Sequence, residues 1–189
     1  MMKSKITHII FLLDRSGSMG GLEDDTIGGF NSLMKKQCEL EGETRATVVL
    51  FDNEYEVIWD DADAREIRLT DKEYYVRGTT ALLDAVGKTI HTHSKKLAEK
   101  QTDHVLFVIT TDGMENASRE YTFPQVKKMI QRQQEAGWEF LFLGANIDAV
   151  EEASNIGIHM EDSFQFSATK DGIGAMYSMV HEKLAERRK

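Results

Sequence analysis

The sequence is poor in proline and cysteine and has no long apolar run, and each shortage excludes a class of protein. Among 189 residues there is one proline and no stretch rich in proline or in glycine and serine. Nothing therefore marks a linker, and we expect a single domain over residues 1–189. The one cysteine, Cys38, cannot form an internal disulfide and falls in a helical pattern, so we interpret it as a buried thiol in a reducing compartment. No apolar stretch is long enough to cross a membrane.

Basic residues are also in short supply, with 23 Lys and Arg against 32 Asp and Glu and a net charge of −9. Binding to nucleic acid or to an anionic membrane surface needs a basic surface, so we expect neither. The one basic cluster, residues 186–189, is interpreted as the solvated end of a helix. The apolar run at residues 9–13 ends in Asp14 rather than in small residues before a cleavage site, so we do not interpret it as a secretion signal. These features predict a cytoplasmic protein.

Apolar runs typical of buried strands alternate with apolar residues at helical spacing. The predicted strands are residues 6–13, 46–51, 55–59, 105–109, 140–143 and 163–167, with a further short strand near 67–69. The predicted helices are residues 27–38, 83–97, 124–137, 148–155 and 173–184. This alternation predicts right-handed crossovers between parallel strands.

The turn at Asp52 and Asn53 predicts that the second and third strands form an antiparallel hairpin. The chain is therefore expected to have a doubly wound α/β fold: a mostly parallel sheet of about six strands, one antiparallel edge strand, and helices on both faces. In such sheets ligands bind outside the carboxyl ends of the strands. The loops after residues 13, 109 and 143 are therefore the places to search for a site.

The loop after the first strand reads Asp14-Arg15-Ser16-Gly17-Ser18-Met19-Gly20. Its three oxygen-bearing side chains stand at alternate positions, and the glycines allow the backbone to turn. Hydroxyl and carboxylate oxygens are ligands that a hard cation such as Mg²⁺ prefers. Taken alone, the pattern also fits a loop in which Asp14 or Ser16 caps the next helix.

Two further segments are expected at the same edge of the sheet, Gly78-Thr79-Thr80 before a helix and Thr110-Thr111-Asp112-Gly113 after a strand. In motif order and spacing over nearly the whole chain, the sequence resembles the von Willebrand factor type A domain. In that family such segments build a metal-ion-dependent adhesion site. The metal-site residues that the resemblance implies are Asp14, Ser16, Ser18, Thr79 and Asp112.

The resemblance also implies how these residues act. The two serines and Thr79 would ligate through hydroxyls, the two aspartates largely through bound waters, and Thr80 would cap the following helix. With no anionic side chain bound directly, the ion would remain electrophilic at an open position. A carboxylate from a protein partner would fill that position. The resemblance thus implies a protein-binding module without catalysis, with Mg²⁺ as the expected ion and Mn²⁺ or Ca²⁺ as alternatives.

Three neighbouring residues have two interpretations each. Asn146 is expected either to contact the partner or to cap a short helix, and Glu115 and Asn116 either shape specificity or solvate their loop. A chain with no anchor or secretion signal is similar to intracellular, stand-alone members of the family from bacteria and phages. Such members imply a component of a protein assembly.

Two other functions remain open. Asp14 at the end of the first strand fits a phosphotransferase or phosphatase of the haloacid-dehalogenase type, in which this residue is the nucleophile beside Mg²⁺. That family has a second aspartate two residues later, where this chain has Ser16, and no phosphate-binding or dinucleotide-binding glycine motif is present. The remaining possibility is a metal-independent scaffold of the same fold.

Overall fold

Five parallel strands and an antiparallel edge strand form one sheet in the computed structural model, which describes residues 4–145 and 148–189. The strands are β1 (Ile6–Asp14), β2 (Glu43–Phe51), β3 (Tyr55–Asp63), β4 (His104–Thr111), β5 (Glu139–Ala145) and β6 (Ser163–Phe166). Their order across the sheet is β3-β2-β1-β4-β5-β6, and β3 pairs with β2 in the antiparallel sense. The predicted fold class, including the antiparallel edge strand, is confirmed.

Helices cover both faces of the sheet. They are α1 (Glu23–Cys38), α2 (Leu82–Glu99), α3 (Phe123–Glu135), α4 (Ala149–Asn155) and α5 (Lys170–Arg187). Helices α1 and α5 pack on one face, and α2, α3 and α4 pack on the other. Within the described part of the chain, no helix combines the length and the apolar character needed to cross a bilayer.

The central strand β1 is buried on both faces, which explains its uninterrupted apolar sequence. Its residues alternate between the two layers: Phe11 and Leu13 contact the α1 and α5 layer, and Ile10 and Leu12 contact the α2 layer. The chain runs outward from β1 through β2 to β3, and then returns to β4 on the other side of β1. The strand order therefore reverses between β1 and β4, and the loops that follow these two strands meet at that point.

Residues 67–69 do not form the predicted short strand. They run as irregular chain beside α1, where the Asn31 side chain donates to the Leu69 carbonyl and accepts from the Leu69 N–H, both at 2.8 Å. A strand needs a neighbouring strand to satisfy its backbone groups. Here the Asn31 side-chain amide satisfies both backbone groups of Leu69 instead.

The basic C-terminus is a helix end as predicted, but it is only partly solvated. Arg188 is 8% exposed, and its guanidinium donates to the carbonyl and the side-chain oxygen of Gln37 at 3.0 and 2.9 Å. Arg187 forms ion pairs with Asp162 and Glu139. Cys38 also differs from its prediction, since it is half-buried; burial raises the pKa of its thiol, which opposes a nucleophilic role.

Candidate metal centre

Asp14, the last residue of β1, is fixed by hydrogen bonds to both carboxylate oxygens. It is 1% exposed. Its Oδ1 accepts from the Ser16 N–H at 2.7 Å, which closes the tight turn after the strand, and its Oδ2 accepts from the Thr111 hydroxyl at 2.7 Å. Because Thr111 ends β4, the second bond joins the two strands at the point where the strand order reverses.

A chain of polar contacts connects this loop to Asp112. The Ser16 and Ser18 hydroxyl oxygens are 3.1 Å apart, and the Ser18 hydroxyl donates to Asp112 Oδ1 at 2.7 Å. A short 3₁₀ turn, Gly17–Met19, brings Ser18 back toward the end of β4. The structure therefore brings four of the five predicted residues into one cluster, which we call the hydroxyl-carboxylate cluster: Asp14, Ser16, Ser18 and Asp112.

The cluster holds negative charge without a basic partner. Burial raises the pKa of the Asp14 carboxyl, and the charge of Asp112 raises it further. Burial likewise raises the pKa of Asp112, against the hydrogen bond from Ser18. Among the described residues, neither aspartate has an ion-pair partner, and Asp112 Oδ2 is buried with no hydrogen-bond partner. Two adjacent buried acids are unfavourable unless a cation compensates them.

The donor set fits a hard divalent cation. It offers hydroxyl and carboxylate oxygens and no sulfur or nitrogen, which favours Mg²⁺ or Mn²⁺ over a soft metal. Asp112 Oδ2, which is buried without a hydrogen-bond partner, supplies a further acceptor. Among the described residues, no group of three or more His, Cys, Asp or Glu side chains could hold a metal ion. A metal site at the cluster would therefore need its hydroxyl oxygens as ligands.

The two adjacent threonines differ in position. Thr79 is exposed, and its N–H donates to Asn53 Oδ1 at 3.4 Å. Thr80 is 3% exposed. A Cβ placed on Gly113, the residue after Asp112, would lie 3.0 Å from Thr80 Oγ1 and 3.9 Å from Ser18 Oγ. The Thr80 hydroxyl therefore lies beside Gly113 at the cluster, whereas Thr79, the residue predicted from the sequence, is exposed. Thr80 also does not cap α2 with its side chain, because the helix begins at Leu82 after Ala81 without a side-chain cap.

Backbone hydrogen bonds attach the threonine loop to the first loop. The Arg77 N–H donates to the Arg15 carbonyl at 2.8 Å, and the Gly17 N–H donates to the Gly78 carbonyl at 3.1 Å. Gly78 has φ = +70°, which favours glycine, and a Cβ there would also clash with Asn53 Oδ1. The Tyr74 hydroxyl adds a third connection by donating to the Asp14 carbonyl at 2.8 Å.

A buried ion-pair network lies behind this attachment, and the sequence analysis missed it. Arg15 is fully buried; its Nε is 3.4 Å from Asp52 Oδ2, and it donates to Glu56 at 2.8 Å. Arg77 donates to the same Asp52 oxygen at 2.7 Å. The Tyr75 ring lies 5.5 and 5.6 Å from the two guanidinium carbons. Only the position of Arg15 between two predicted ligands could have drawn attention to it.

Glu115 and Asn116 hold the start of α2 rather than simply solvating their loop. Glu115 accepts from the Leu83 and Ser118 N–H groups at 3.3 and 3.2 Å. The Asn116 side chain accepts from the Thr80 N–H at 2.9 Å, and its own N–H donates to the Thr80 carbonyl at 3.0 Å. The loop after β4 therefore fixes the backbone of Thr80. Asn146, the third neighbour considered from the sequence, lies outside the described residues.

Comparisons with known proteins agree with this fold. A sequence model of the von Willebrand factor type A domain matches residues 8–176. A search of curated protein sequences finds no match. Among solved structures, proximal thread matrix protein 1 from the mussel byssus, with a zinc-occupied MIDAS motif, is 15% identical with a TM-score of 0.67. The match covers 96% of this chain and 46% of the mussel chain, so this chain spans less than half the length of that protein.

Two further structures are similar over most of this chain. Manganese-loaded TRAP protein of Plasmodium vivax is 17% identical with a TM-score of 0.65, covering 91% of this chain and 72% of that one. The vWF domain of the type V pili tip protein Mfa5 from Porphyromonas gingivalis is 11% identical with a TM-score of 0.64, covering 97% and 96%. At these identities the likeness is one of fold.

Proposed function

This chain belongs to the von Willebrand factor type A domain family, and from that premise we propose that it binds a divalent cation at the hydroxyl-carboxylate cluster and uses the cation to bind a carboxylate of a protein partner. The observation that carries the proposal is the pair of buried acids that have no basic partner among the described residues, one of which has an oxygen without a hydrogen-bond partner. Mg²⁺ is the proposed ion, because all donors are oxygens. The zinc and manganese present in two structures of the same fold support a divalent metal in general.

The serines and the aspartates of the cluster have different roles in this proposal. Ser16 and Ser18 bind the ion through hydroxyls, and Asp14 and Asp112 neutralise it, largely through bound waters. When bound, the ion supplies an electrophilic position for an oxygen ligand from outside. Because the acids act through water, affinity for the ion without a partner is expected to be modest. We propose no catalytic step.

Asp112→Asn tests the metal site. The amide keeps an acceptor for the Ser18 hydroxyl but removes the charge, so we expect the heat of Mg²⁺ or Mn²⁺ binding to disappear in isothermal titration calorimetry. The thermal unfolding midpoint in EDTA should not fall, because the substitution removes repulsion with Asp14. Asp71→Asn, an exposed acid outside the cluster, is the matched control. Unaltered metal binding in Asp112→Asn would contradict the proposal, and no metal binding by the wild-type protein would favour a metal-independent scaffold.

Thr79→Ala and Thr80→Ala form a matched pair that identifies the third hydroxyl. From the position beside Gly113 we propose Thr80, so Thr80→Ala should weaken Mn²⁺ binding about tenfold or more, and Thr79→Ala should leave it nearly unchanged. The reverse result in the same titration would restore the assignment of Thr79 made from the sequence.

The partner is tested by affinity capture from cells that contain the protein, once with Mg²⁺ and once with EDTA. We expect a protein retained only with Mg²⁺ and lost in Asp112→Asn. Equal capture in EDTA would contradict a metal-bridged contact. Phosphatase activity that disappears in Asp14→Asn would instead support the enzyme of the haloacid-dehalogenase type.

A further inference from the structure

A polar cleft of about 740 Å³ opens beside Thr79. The turn between β2 and β3 forms one wall, the first turns of α2 form the floor, and the loop of residues 116–120 forms the other wall. Asn116 lines the cleft and its side chain accepts from the N–H of Thr80, whose hydroxyl lies beside the cluster. A partner segment whose carboxylate reaches the cation therefore has this cleft next to it.

The acids that line the cleft already have donors. Asp84 accepts from the backbone N–H groups of residues 119, 120 and 121, each at 2.9 Å. Glu54 receives the Arg77 guanidinium at 2.6 Å, and Glu120 pairs with Lys88 at 3.0 Å. Each of these acids therefore already has a hydrogen-bond donor or a cation within the protein.

Arg119 is the cleft cation whose charge is not compensated. Its side chain is exposed and has no ion pair or hydrogen bond to another residue among those that the structure describes. Its backbone is fixed, because its N–H donates to Asp84 Oδ2. Lys88 lies deeper, 5.7 Å from the Tyr55 ring centroid, and adds a second positive group that Glu120 shares. Arg119 is therefore a cation of the cleft that can bind an anion from outside, on a protein whose net charge is −9.

We propose that the cleft receives a second carboxylate of the partner, bound by Arg119, so that the partner is an acidic segment with at least two carboxylates. The inference rests on the proposed function, in which the first carboxylate reaches the cation. Guanidinium groups bind carboxylates with two parallel hydrogen bonds, which gives the second contact directional specificity. The net charge of this protein repels acidic chains in general, so any preference for a second carboxylate has to come from the cleft.

The test uses synthetic peptides with blocked termini, titrated into the wild-type protein with saturating Mg²⁺ and followed by NMR. One nine-residue peptide carries a single glutamate among glutamines and serines. The others add a second glutamate one, two, three or four positions away. We expect at least one spacing to bind about fivefold more tightly than the single-glutamate peptide. Arg119→Gln should abolish that gain and leave the single-glutamate affinity unchanged.

The outcomes separate this inference from the proposed function. Arg132→Gln, an exposed arginine on α3, is the control and should retain the gain. If no spacing binds more tightly than the single glutamate, or if the gain survives in Arg119→Gln, the cleft assignment is wrong while the metal contact stands. If neither class of peptide binds to the Mg²⁺-loaded protein, the carboxylate contact of the proposed function is wrong as well.

Discussion

The buried hydroxyl of Tyr74 shows how a single atom positions the candidate site. Tyr74 is 1% exposed, and its hydroxyl donates to the carbonyl of Asp14, the residue at which β1 becomes the first loop. The ring packs in the layer formed with α1 and α5. The hydroxyl therefore orients the backbone from which Ser16 and Ser18 follow.

Tyr74→Phe is expected to weaken Mg²⁺ binding about tenfold, because it keeps the ring but frees the Asp14 carbonyl, as other losses of a partner behind a metal ligand do. The loss of one buried hydrogen bond should also lower the free energy of unfolding by about 1 kcal/mol. Calorimetric titration and urea unfolding in EDTA measure the two effects. Tyr75→Phe, at a 45% exposed ring, is the control. A Tyr74→Phe protein that is less stable but binds Mg²⁺ normally would show that the hydroxyl only stabilises the fold.

The site could be predicted from the sequence only where a residue's role follows from its neighbours in the chain. Asp14, Ser16, Ser18 and Asp112 come directly at or after strand ends, and the fold brings those ends together. The choice between two adjacent threonines depends on backbone torsion in an irregular loop, which the residue pattern does not specify. The roles of Tyr74 and Arg15 depend on contacts with distant residues, and no local pattern encodes them.

At the scale of elements, the loop after β4 and the start of α2 behave as one unit. Asp84, in the first turn of α2, accepts three consecutive backbone N–H groups of that loop, and Asn116 bonds back to Thr80. The unit fixes one wall of the cleft and the proposed third hydroxyl together.

Asp84→Ala should lower the free energy of unfolding by about 1–3 kcal/mol, because three N–H groups lose a charged acceptor. Hydrogen exchange at residues 119–121 should become faster than in the wild-type protein. Asp171→Ala is a matched control, since Asp171 is also in the first turn of an 18-residue helix but is exposed. It should cost only a few tenths of a kcal/mol through the helix dipole. Equal effects in the two variants would show that Asp84 acts through the dipole alone.

The elements that could be predicted are those whose burial produces a recognisable pattern of apolar residues or a turn signal in their own sequence. Strands β1 and β4 are buried on both faces and therefore appear as apolar runs, and the turn at Asp52 identifies the hairpin. Residues 67–69 also include apolar side chains, but they do not join the sheet, because the Asn31 side chain of α1 satisfies the backbone groups of Leu69. The basic C-terminus was misinterpreted for a similar reason, since its acceptor at Gln37 lies 151 residues away in the sequence.

At the scale of the whole molecule, buried ionisable groups near opposite ends of β1 make stability depend on pH in opposite directions. At the carboxyl end, the pKa values of Asp14 and Asp112 are raised, so the metal-free protein gains stability as pH falls from those raised values to the ordinary value of an aspartate. Nearer the amino end, His8 is 1% exposed, with Nε2 2.8 Å from the Thr47 hydroxyl oxygen. Burial lowers the pKa of His8 to about 4.

The direction of the pH dependence for His8 follows from its pKa values in the unfolded and folded states. Unfolded, its pKa is near 6.5, so between pH 6.5 and about 4 the unfolded chain binds more protons than the folded one. The contribution of neutral His8 to the free energy of unfolding is therefore complete above pH 6.5 and decreases as pH falls to about 4. At about 1.4 kcal/mol for each pH unit, this interval corresponds to about 3 kcal/mol. Asp61 and Asp60 oppose the lowering of the pKa, and His93 and Arg45 add to it.

His8→Gln should make the free energy of unfolding in EDTA depend less on pH between 6.5 and 4, because glutamine retains a polar side chain opposite Thr47 but does not titrate in this range. Urea unfolding of both proteins at several pH values gives the difference directly, and the contributions of acidic residues that do not interact with His8 cancel in it. His91→Gln, at an exposed position on α2, is the control and should follow the wild-type protein. If His8→Gln lost stability in parallel with the wild-type protein as the pH falls, the buried imidazole would not be the group that takes up the proton.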